Sequence, residues 1–146
     1  MFSKACEYGI RASVYIYLET ARKQSRLSIS DIAKEIDSPE PFTAKILQKL
    51  SRQDIISSIK GPGGGFYTSP KQEKITLLQI VQALDGPNLL TKCGLGLKSC
   101  SELHPCPLHD QYKVVRNGLE KILRENTVAS LSTDLKSGMA HLYNPK

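Results

Sequence analysis

Three cysteines and a histidine lie close together in the second half of the chain. Cys93, Cys100, Cys106 and His109 follow the pattern Cys-x6-Cys-x5-Cys-x2-His. Thiolates bind soft metal ions and iron–sulfur clusters, and imidazole nitrogens bind iron and zinc. Glycines and prolines are frequent over residues 85–106, which predicts a loop that can wrap closely around an inorganic centre. This segment is the cysteine loop, and the four side chains are candidate metal ligands.

Three kinds of chemistry agree with these residues taken alone. Three thiols with a nitrogen ligand suit an iron–sulfur cluster, and a Cys3His set can also hold structural zinc. The usual zinc knuckle contains a close Cys-x2–4-Cys pair, which the cysteine loop lacks. Disulfide or thiol-based redox sensing is the third alternative. His104 is a weaker ligand candidate, whereas Cys6 falls on the apolar stripe of the first predicted helix and is interpreted as a packing residue.

Length and composition indicate one globular domain. The chain has 146 residues, of which 40% are hydrophobic. No apolar run approaches the roughly 18 residues that span a bilayer, and Glu7 and Arg11 interrupt any signal-peptide core. We therefore expect a cytoplasmic protein with no membrane partner, in which thiols stay reduced. The net charge of +6 suits a polyanionic partner.

The N-terminal part of the chain has the periodicity of three helices. An apolar stripe over about residues 4–22 predicts the first helix. Ser28 begins a Ser-x-x-Asp capping signature before a second, short helix, which the two prolines within residues 38–41 interrupt. A third helix is predicted over about residues 41–52. Its outer face is predicted to carry Thr43, Lys45, Gln48, Lys49 and Arg52.

A glycine-rich hairpin follows these helices. The run at residues 55–59 predicts a strand, and residues 66–68 would return beside it. The intervening Gly-Pro-Gly-Gly-Gly, residues 61–65, can adopt backbone angles that other residues avoid. Two helices followed by such a hairpin predict a mainly α fold, a winged helix-turn-helix with a small β-hairpin wing.

DNA recognition is predicted to use the second helix of this pair and the wing. That helix would enter the major groove, its N-terminal amides would suit phosphate, and a bare wing tip would approach DNA closely. The candidate DNA-binding residues are Ser28, Ser38, Glu40, Thr43, Lys45, Lys49, Lys60, Gly63 and Gly64.

The most regular helix of the sequence is predicted near its C-terminus. Apolar residues spaced four, three, four and three apart form a short heptad seam. Such a seam can pack within one chain, but its distance from the N-terminal helices favours a two-fold dimer contact. The candidate interface residues are Leu108, Tyr112, Val115, Leu119 and Ile122.

The predicted organisation has four parts. Residues 1–84 form the winged helix-turn-helix DNA-binding domain, and residues 85–106 form the cysteine loop. Residues 107–126 form a long C-terminal dimerisation helix, and residues 127–146 form a short helix and a frayed tail.

Several motifs make the sequence similar to a known family. Glu-Tyr-Gly-Ile-Arg-Ala at residues 7–12, Ser-Ile-Ser-Asp-Ile-Ala at residues 28–33 and Ile-Ser-Ser at residues 56–58 precede Lys-Gly-Pro-Gly-Gly-Gly-Phe at residues 60–66. Together they resemble the Rrf2 family of bacterial transcription regulators over about residues 1–125. The resemblance implies a homodimer of two winged helices joined by the long C-terminal helix. It also implies repression, or in some members activation, at promoters with imperfect palindromes.

The same resemblance assigns a role to the cysteine loop. Members of the IscR- and NsrR-like branch carry three cysteines just before the long helix and bind an iron–sulfur cluster there. Cys93, Cys100 and Cys106 match those positions, and His109 matches the fourth ligand of the IscR-like proteins. Glu7 falls where NsrR-like proteins use an aspartate from the partner subunit, so it is the alternative fourth ligand. The matched histidine favours [2Fe–2S], with [4Fe–4S] as the alternative.

The sequence therefore predicts a transcription regulator and not an enzyme. We expect a homodimeric repressor that binds double-stranded DNA at a palindromic operator and senses iron–sulfur status, redox state or nitric oxide through its cluster. The alternative is a clusterless or zinc-stabilised regulator of the same fold that responds to a thiol, a metabolite or a partner enzyme. A cluster carrier would not need the hairpin, and no Ser-His-Asp, phosphate-loop or paired-carboxylate pattern indicates catalysis.

Overall fold

The computed structural model describes residues 1–143, which contain six α-helices and one two-stranded antiparallel sheet. The helices are α1 (Lys4–Lys23), α2 (Ile29–Glu35), α3 (Glu40–Arg52), α4 (Leu77–Asp85), α5 (His109–Glu125) and α6 (Val128–Lys136). The strands are β1 (Ser57–Ile59) and β2 (Gly65–Tyr67). These bounds confirm the predicted helices and hairpin; β1 is two residues shorter than expected, and β2 begins and ends one residue earlier. The predicted C-terminal tail extends past the described residues at positions 144–146.

Side chains at the helix N-termini determine where several helices begin. Ser28 Oγ accepts a hydrogen bond from the amide of Asp31 at 3.1 Å, as the capping signature predicts. Thr76 Oγ1 accepts one from the amide of Gln79 at 3.3 Å at the start of α4. Each cap satisfies an amide that has no partner inside its helix, and such caps contribute about 1 kcal/mol.

One apolar core joins the helices, with α1 at its centre. Helix α1 packs against α3, α4 and α6, while α2 packs against α3. Cys6 of α1 is fully buried in this core, which confirms it as a packing residue; burial, with a smaller contribution from Asp85, raises the pKa of its thiol to about 12. The largest fully buried apolar side chains are Ile16, Ile32, Ile36, Leu47, Leu50, Ile56, Ile80 and Leu123.

The C-terminal part of the chain folds back onto the N-terminal helices. Backbone hydrogen bonds join the α5–α6 junction to the start of α4, since the Leu77 amide donates to Asn126 and the Val128 amide donates to Ile75. Helix α6 then lies along α1. None of the helices within residues 1–143 has the length and apolar character needed to span a membrane.

The wing contains a third backbone segment besides its two strands. The Leu27 amide donates to the Phe66 carbonyl at 2.9 Å, and the Phe66 amide donates to the Leu27 carbonyl at 2.8 Å. The linker between α1 and α2 therefore pairs with β2. This pairing holds the wing against the helical body. An isolated two-stranded hairpin is only marginally stable, so the third segment stabilises the wing.

Candidate DNA interface and metal site

Helix α3 has one buried face and one exposed, polar face. Thr43 is only 1% exposed, and its Oγ1 lies 2.9 Å from both Ser38 Oγ and the Pro39 carbonyl oxygen. The prediction that Thr43 belongs to the outer face is therefore wrong. Local hydrogen bonds at the helix start satisfy its hydroxyl, and this allows a polar residue to be buried. The same contact engages the half-buried Ser38.

The outer face of α3 carries exposed side chains at helical spacing. Lys45, Gln48 and Arg52 are all exposed there. Lys49 is exposed as well, but its ammonium group donates to the Leu84 carbonyl at the end of α4, at 3.3 Å. Lys45 makes no hydrogen bond or ion pair among the described residues. Its ammonium group is therefore better placed than that of Lys49 to contact DNA. Helical spacing also predicts Gln48 and Arg52 on this face, and their exposure adds them to the DNA-binding candidates.

A groove of about 380 Å³ separates the C-terminal half of α3 from the wing. Its walls suit a polar, anionic partner because they carry hydroxyls, an amide and two cations. The lining residues include Gln48, Ser51, Arg52, Ser58, Lys60 and Phe66.

The wing tip carries no side chain except the ring of Pro62, as its composition predicts. Gly63 adopts a φ of +73° and has open space around it. At Gly64 a Cβ atom would lie 2.1 Å from the Ile59 carbonyl oxygen, so only glycine fits. The Gly64 amide closes the turn by donating to the Gly61 carbonyl at 2.9 Å. Lys60 is exposed at the base of this turn.

Two other DNA-binding candidates lie at helix starts. Ser28 is exposed, although its hydroxyl oxygen already caps α2. Glu40 is exposed in the first turn of α3, where its negative charge faces the positive end of the helix dipole.

Helix α5 positions the cysteine loop. The backbone at Gly94 lies directly on the ring of Tyr112, because a Cβ atom there would be 2.8 Å from the ring carbon Cγ. The guanidinium of Arg116 donates to the Lys92 carbonyl and to Cys100 Sγ, both at 3.2 Å. Sequence reasoning missed Arg116 because only the fold brings it beside the loop.

Two of the four predicted ligands, Cys100 and His109, are in direct contact. Cys100 Sγ lies 3.3 Å from His109 Nδ1. Cys106 is the nearer partner of Cys93, since its thiol contributes to lowering the pKa of the Cys93 thiol. Within residues 1–143, no group of three or more His, Cys, Asp or Glu side chains is arranged to hold a metal ion. The three thiols and the imidazole therefore lie in one region of the structure without forming a single closed ligand set.

Backbone amides favour the thiolate form of Cys93. The Leu95 amide donates to Cys93 Sγ at 3.4 Å. This amide and that of Leu97 lower the pKa of the Cys93 thiol, with smaller contributions from the Cys106 thiol and the Gly96 amide. Burial acts in the opposite direction, since Cys93 is 7% exposed. Thiolate is the form in which cysteine binds metals.

His109 is a buried histidine with an unsatisfied nitrogen. The residue is 5% exposed, and its Nε2 makes no hydrogen bond among the described residues. Glu102 Oε2 lies 3.4 Å from that Nε2, without hydrogen-bonding geometry. An ion pair with Lys113 holds Glu102 and lowers the pKa of its carboxyl group. A carboxylate behind one ring nitrogen is the usual arrangement for a histidine that binds metal through the other.

Glu7, the alternative fourth ligand, lies on α1. Its carboxylate forms an ion pair with Lys4 at 3.0 Å, one helical turn away. Among the described side chains of the same chain, no metal-binding group includes it. His109 is therefore the candidate that the fold places beside a cysteine.

The residues predicted for the dimer interface divide between two faces of α5. Tyr112 and Leu119 are half-buried against their own chain. Val115 and Ile122 are 62% and 56% exposed, and the neighbouring Val114 is 72% exposed. An apolar strip along a helix of an otherwise folded chain indicates a protein contact. The exposed residues Leu108, Val114, Val115 and Ile122 are the α5 stripe.

Comparisons with known proteins agree with this architecture. The Rrf2 family model, described as iron-dependent transcriptional regulator, matches residues 2–134. A protein of Aquifex aeolicus described as an HTH-type transcriptional regulator is 29% identical to this chain over 133 residues, which are 90% of each chain. IscR from Vibrio parahaemolyticus is 23% identical over 127 residues, covering 87% of this chain and 74% of IscR.

Solved structures show the same fold. CymR of Bacillus subtilis, a global cysteine regulator, superposes with a TM-score of 0.74 at 18% identity, covering 91% of this chain and 96% of CymR. IscR of T. potens superposes with a TM-score of 0.72 at 16% identity, covering 96% of this chain and 91% of IscR. These likenesses confirm the winged-helix fold. The matched family and relatives are transcriptional regulators and not enzymes, in agreement with the sequence-based prediction.

Proposed function

Because this chain belongs to the Rrf2 family of transcriptional regulators, which bind DNA, we propose that it is a homodimeric repressor with an iron–sulfur sensor. In this proposal a cluster in the cysteine loop reports iron–sulfur status, redox state or nitric oxide. The observation that carries the proposal is the 3.3 Å approach of Cys100 Sγ to His109 Nδ1 at the start of α5, with the other two cysteines in the same loop. The operator is a palindrome, since a two-fold dimer presents two equivalent reading helices.

The paired donors suit a cluster with two iron atoms. At a tetrahedral metal, bonds of about 2.3 Å to sulfur and about 2.0 Å to nitrogen place two donors roughly 3.5 Å apart. The 3.3 Å between Cys100 Sγ and His109 Nδ1 is close to that separation. In a [2Fe–2S] cluster, Cys100 and His109 would hold one iron, and Cys93 and Cys106 would hold the other. A bound cluster supplies a redox centre whose potential depends on nearby charge and hydrogen bonds.

A continuous set of contacts leads from the cysteine loop to the DNA-reading helix. The loop lies on α5 where Gly94 meets Tyr112. Helix α5 packs against α4, and α4 packs against α3, where Lys49 donates to Leu84. Release of the loop, on loss or nitrosylation of the cluster, would change how α5 is held. The population of dimers with correctly spaced reading helices would then shift.

The coupling can be tested by comparing protein with and without its cluster. Protein purified without oxygen is assayed for iron and acid-labile sulfide, and then half is stripped with a chelator. Affinity for an operator selected from a random duplex library should differ between the two forms by about 5- to 150-fold, the usual range for coupled sites. Equal affinity and equal sequence preference in the two forms would defeat the coupling.

A second candidate function is a clusterless or zinc-stabilised regulator of the same fold. The closeness of Cys93 to Cys106, with amides favouring the Cys93 thiolate, also suits a thiol-based sensor. The two candidates differ in a simple readout. A cluster makes the anaerobic preparation brown, whereas a colourless preparation with one zinc ion per chain supports a structural zinc site.

Lys45→Ala is expected to change sequence preference at one operator position. Because Lys45 is exposed on α3 and makes no hydrogen bond or ion pair among the described residues, its ammonium group can reach a base edge. The expected loss is about 1–3 kcal/mol at that position and little elsewhere. Binding to a panel of single-position operator variants measures this, with Lys136→Ala on α6 as a control of equal charge. A uniform loss across all variants would reassign Lys45 to phosphate.

A further inference from the structure

Arg26 lies beside the wing tip, although it belongs neither to the helix-turn-helix pair nor to the hairpin. Arg26 is in the linker between α1 and α2, next to the Leu27–Phe66 bridge. The linker is packed tightly on the wing, because a Cβ atom at Gly65 would lie 2.7 Å from the Leu27 carbonyl oxygen and 3.1 Å from Arg26 Cβ. The backbone of Arg26 is therefore in close contact with the wing.

The side chain of Arg26 is also directed to the wing tip. Its Nη1 donates to the Gly63 carbonyl at 2.8 Å. Its guanidinium carbon lies 5.9 Å from the centroid of the Tyr67 ring, within the range of a cation–π contact. A guanidinium has five N–H donors, so most of them stay available after the bond to Gly63. The residue is exposed, and among the described residues no acidic side chain forms an ion pair with it.

We propose that Arg26 is a DNA-reading residue that enters the minor groove together with the wing tip. Apart from the compact ring of Pro62, the tip at residues 61–64 has no side chains, so it is narrow enough for a groove about 6 Å wide. Arginine suits that groove because its planar cation is weakly hydrated and the narrow groove of A·T-rich DNA has an enhanced negative potential. Because the Arg26 guanidinium is hydrogen-bonded to the wing tip, it would enter the groove with the tip and would not contact only the flanking phosphates.

This proposal rests on DNA binding by the family and is independent of the cluster. It predicts that the chain has three DNA-reading segments, namely α3, the wing tip and the α1–α2 linker. Neither hydrophobic periodicity nor a local motif marks Arg26 in the sequence. Only the pairing of Leu27 with Phe66 brings it to the tip.

The test uses the selected operator in two versions, with either A·T or G·C pairs where hydroxyl-radical footprinting places the wing. Arg26→Ala should weaken binding to the A·T version by about tenfold and to the G·C version by less than about twofold. Arg26→Lys should restore only part of the affinity, since lysine lacks the planar fork. Arg22→Ala is the matched control, because Arg22 is an exposed arginine at the end of α1, and it should leave both affinities unchanged.

A separate variant distinguishes DNA contact from wing support. Arg26→Gln keeps an N–H donor for the Gly63 carbonyl but removes the charge, so it should lose the A·T preference as fully as Arg26→Ala. If Arg26→Gln binds like the unmodified protein, Arg26 only supports the wing and the proposal fails. An equal loss on both operator versions, with the salt dependence reduced by about one ion, would indicate a phosphate contact and would also overturn it.

Discussion

Cys100→Ala is expected to abolish the brown colour of anaerobically purified protein while leaving the fold and the dimer intact. Cys100 lies 3.3 Å from His109 and is one of only two donors assigned to its iron. Loss of a partner behind a metal ligand alone costs about 10- to 100-fold in affinity, so loss of the ligand itself should cost more. The side chain is half-buried in a loop outside the apolar core, so its removal costs the fold little. Iron, acid-labile sulfide and the visible absorption spectrum measure the result.

Cys6→Ala is the matched control for that experiment. It makes the same replacement at the one cysteine outside the ligand set, where the thiol is fully buried in the core. We expect full iron and sulfide content with a modest loss of stability, about 1 kcal/mol. The cluster assignment fails if Cys100→Ala retains the iron and sulfide of the unmodified protein. An unfolded Cys100→Ala product would instead favour structural zinc, because zinc sites of this kind supply folding energy.

Val115→Asp is expected to convert the dimer to a folded monomer and to remove most operator affinity. Val115 is 62% exposed at the middle of the α5 stripe, so an aspartate there remains hydrated in the monomer. In a dimer the same carboxylate would be buried against apolar side chains, at a cost of about 3–5 kcal/mol. A single reading head also loses the gain of two-site binding, about 100-fold or more. Sedimentation velocity and fluorescence anisotropy with the selected operator measure the two effects.

Asn117→Asp tests whether charge alone produces this result. Asn117 is exposed on α5 two residues after Val115, and therefore about 160° away around the helix axis. The variant adds the same negative charge on the side of α5 opposite Leu108 and Val115, one turn from Val114 at the edge of the stripe, and should remain dimeric. A dimeric Val115→Asp protein with unchanged operator affinity would exclude the α5 stripe as the interface.

Most elements of the fold were predictable because their signals are local. The capping signature at Ser28 and the glycines of residues 61–65 mark α2 and the wing through interactions within a few residues. Thr43 illustrates where such reasoning fails. Helical spacing placed it on the outer face of α3, but hydrogen bonds to Ser38 and Pro39 satisfy its hydroxyl and let it face inward.

Residue type and spacing along the chain identify the ligand candidates, the helix that follows them and the wing, since each depends on neighbours within a few positions. Tertiary contacts decide how the sulfur and nitrogen donors pair and which face of α5 stays exposed. They also bring Arg26 to Gly63, 37 positions further along the chain. These outcomes depend on which distant segments pack together, and packing is a property of the whole core that no short stretch of sequence contains.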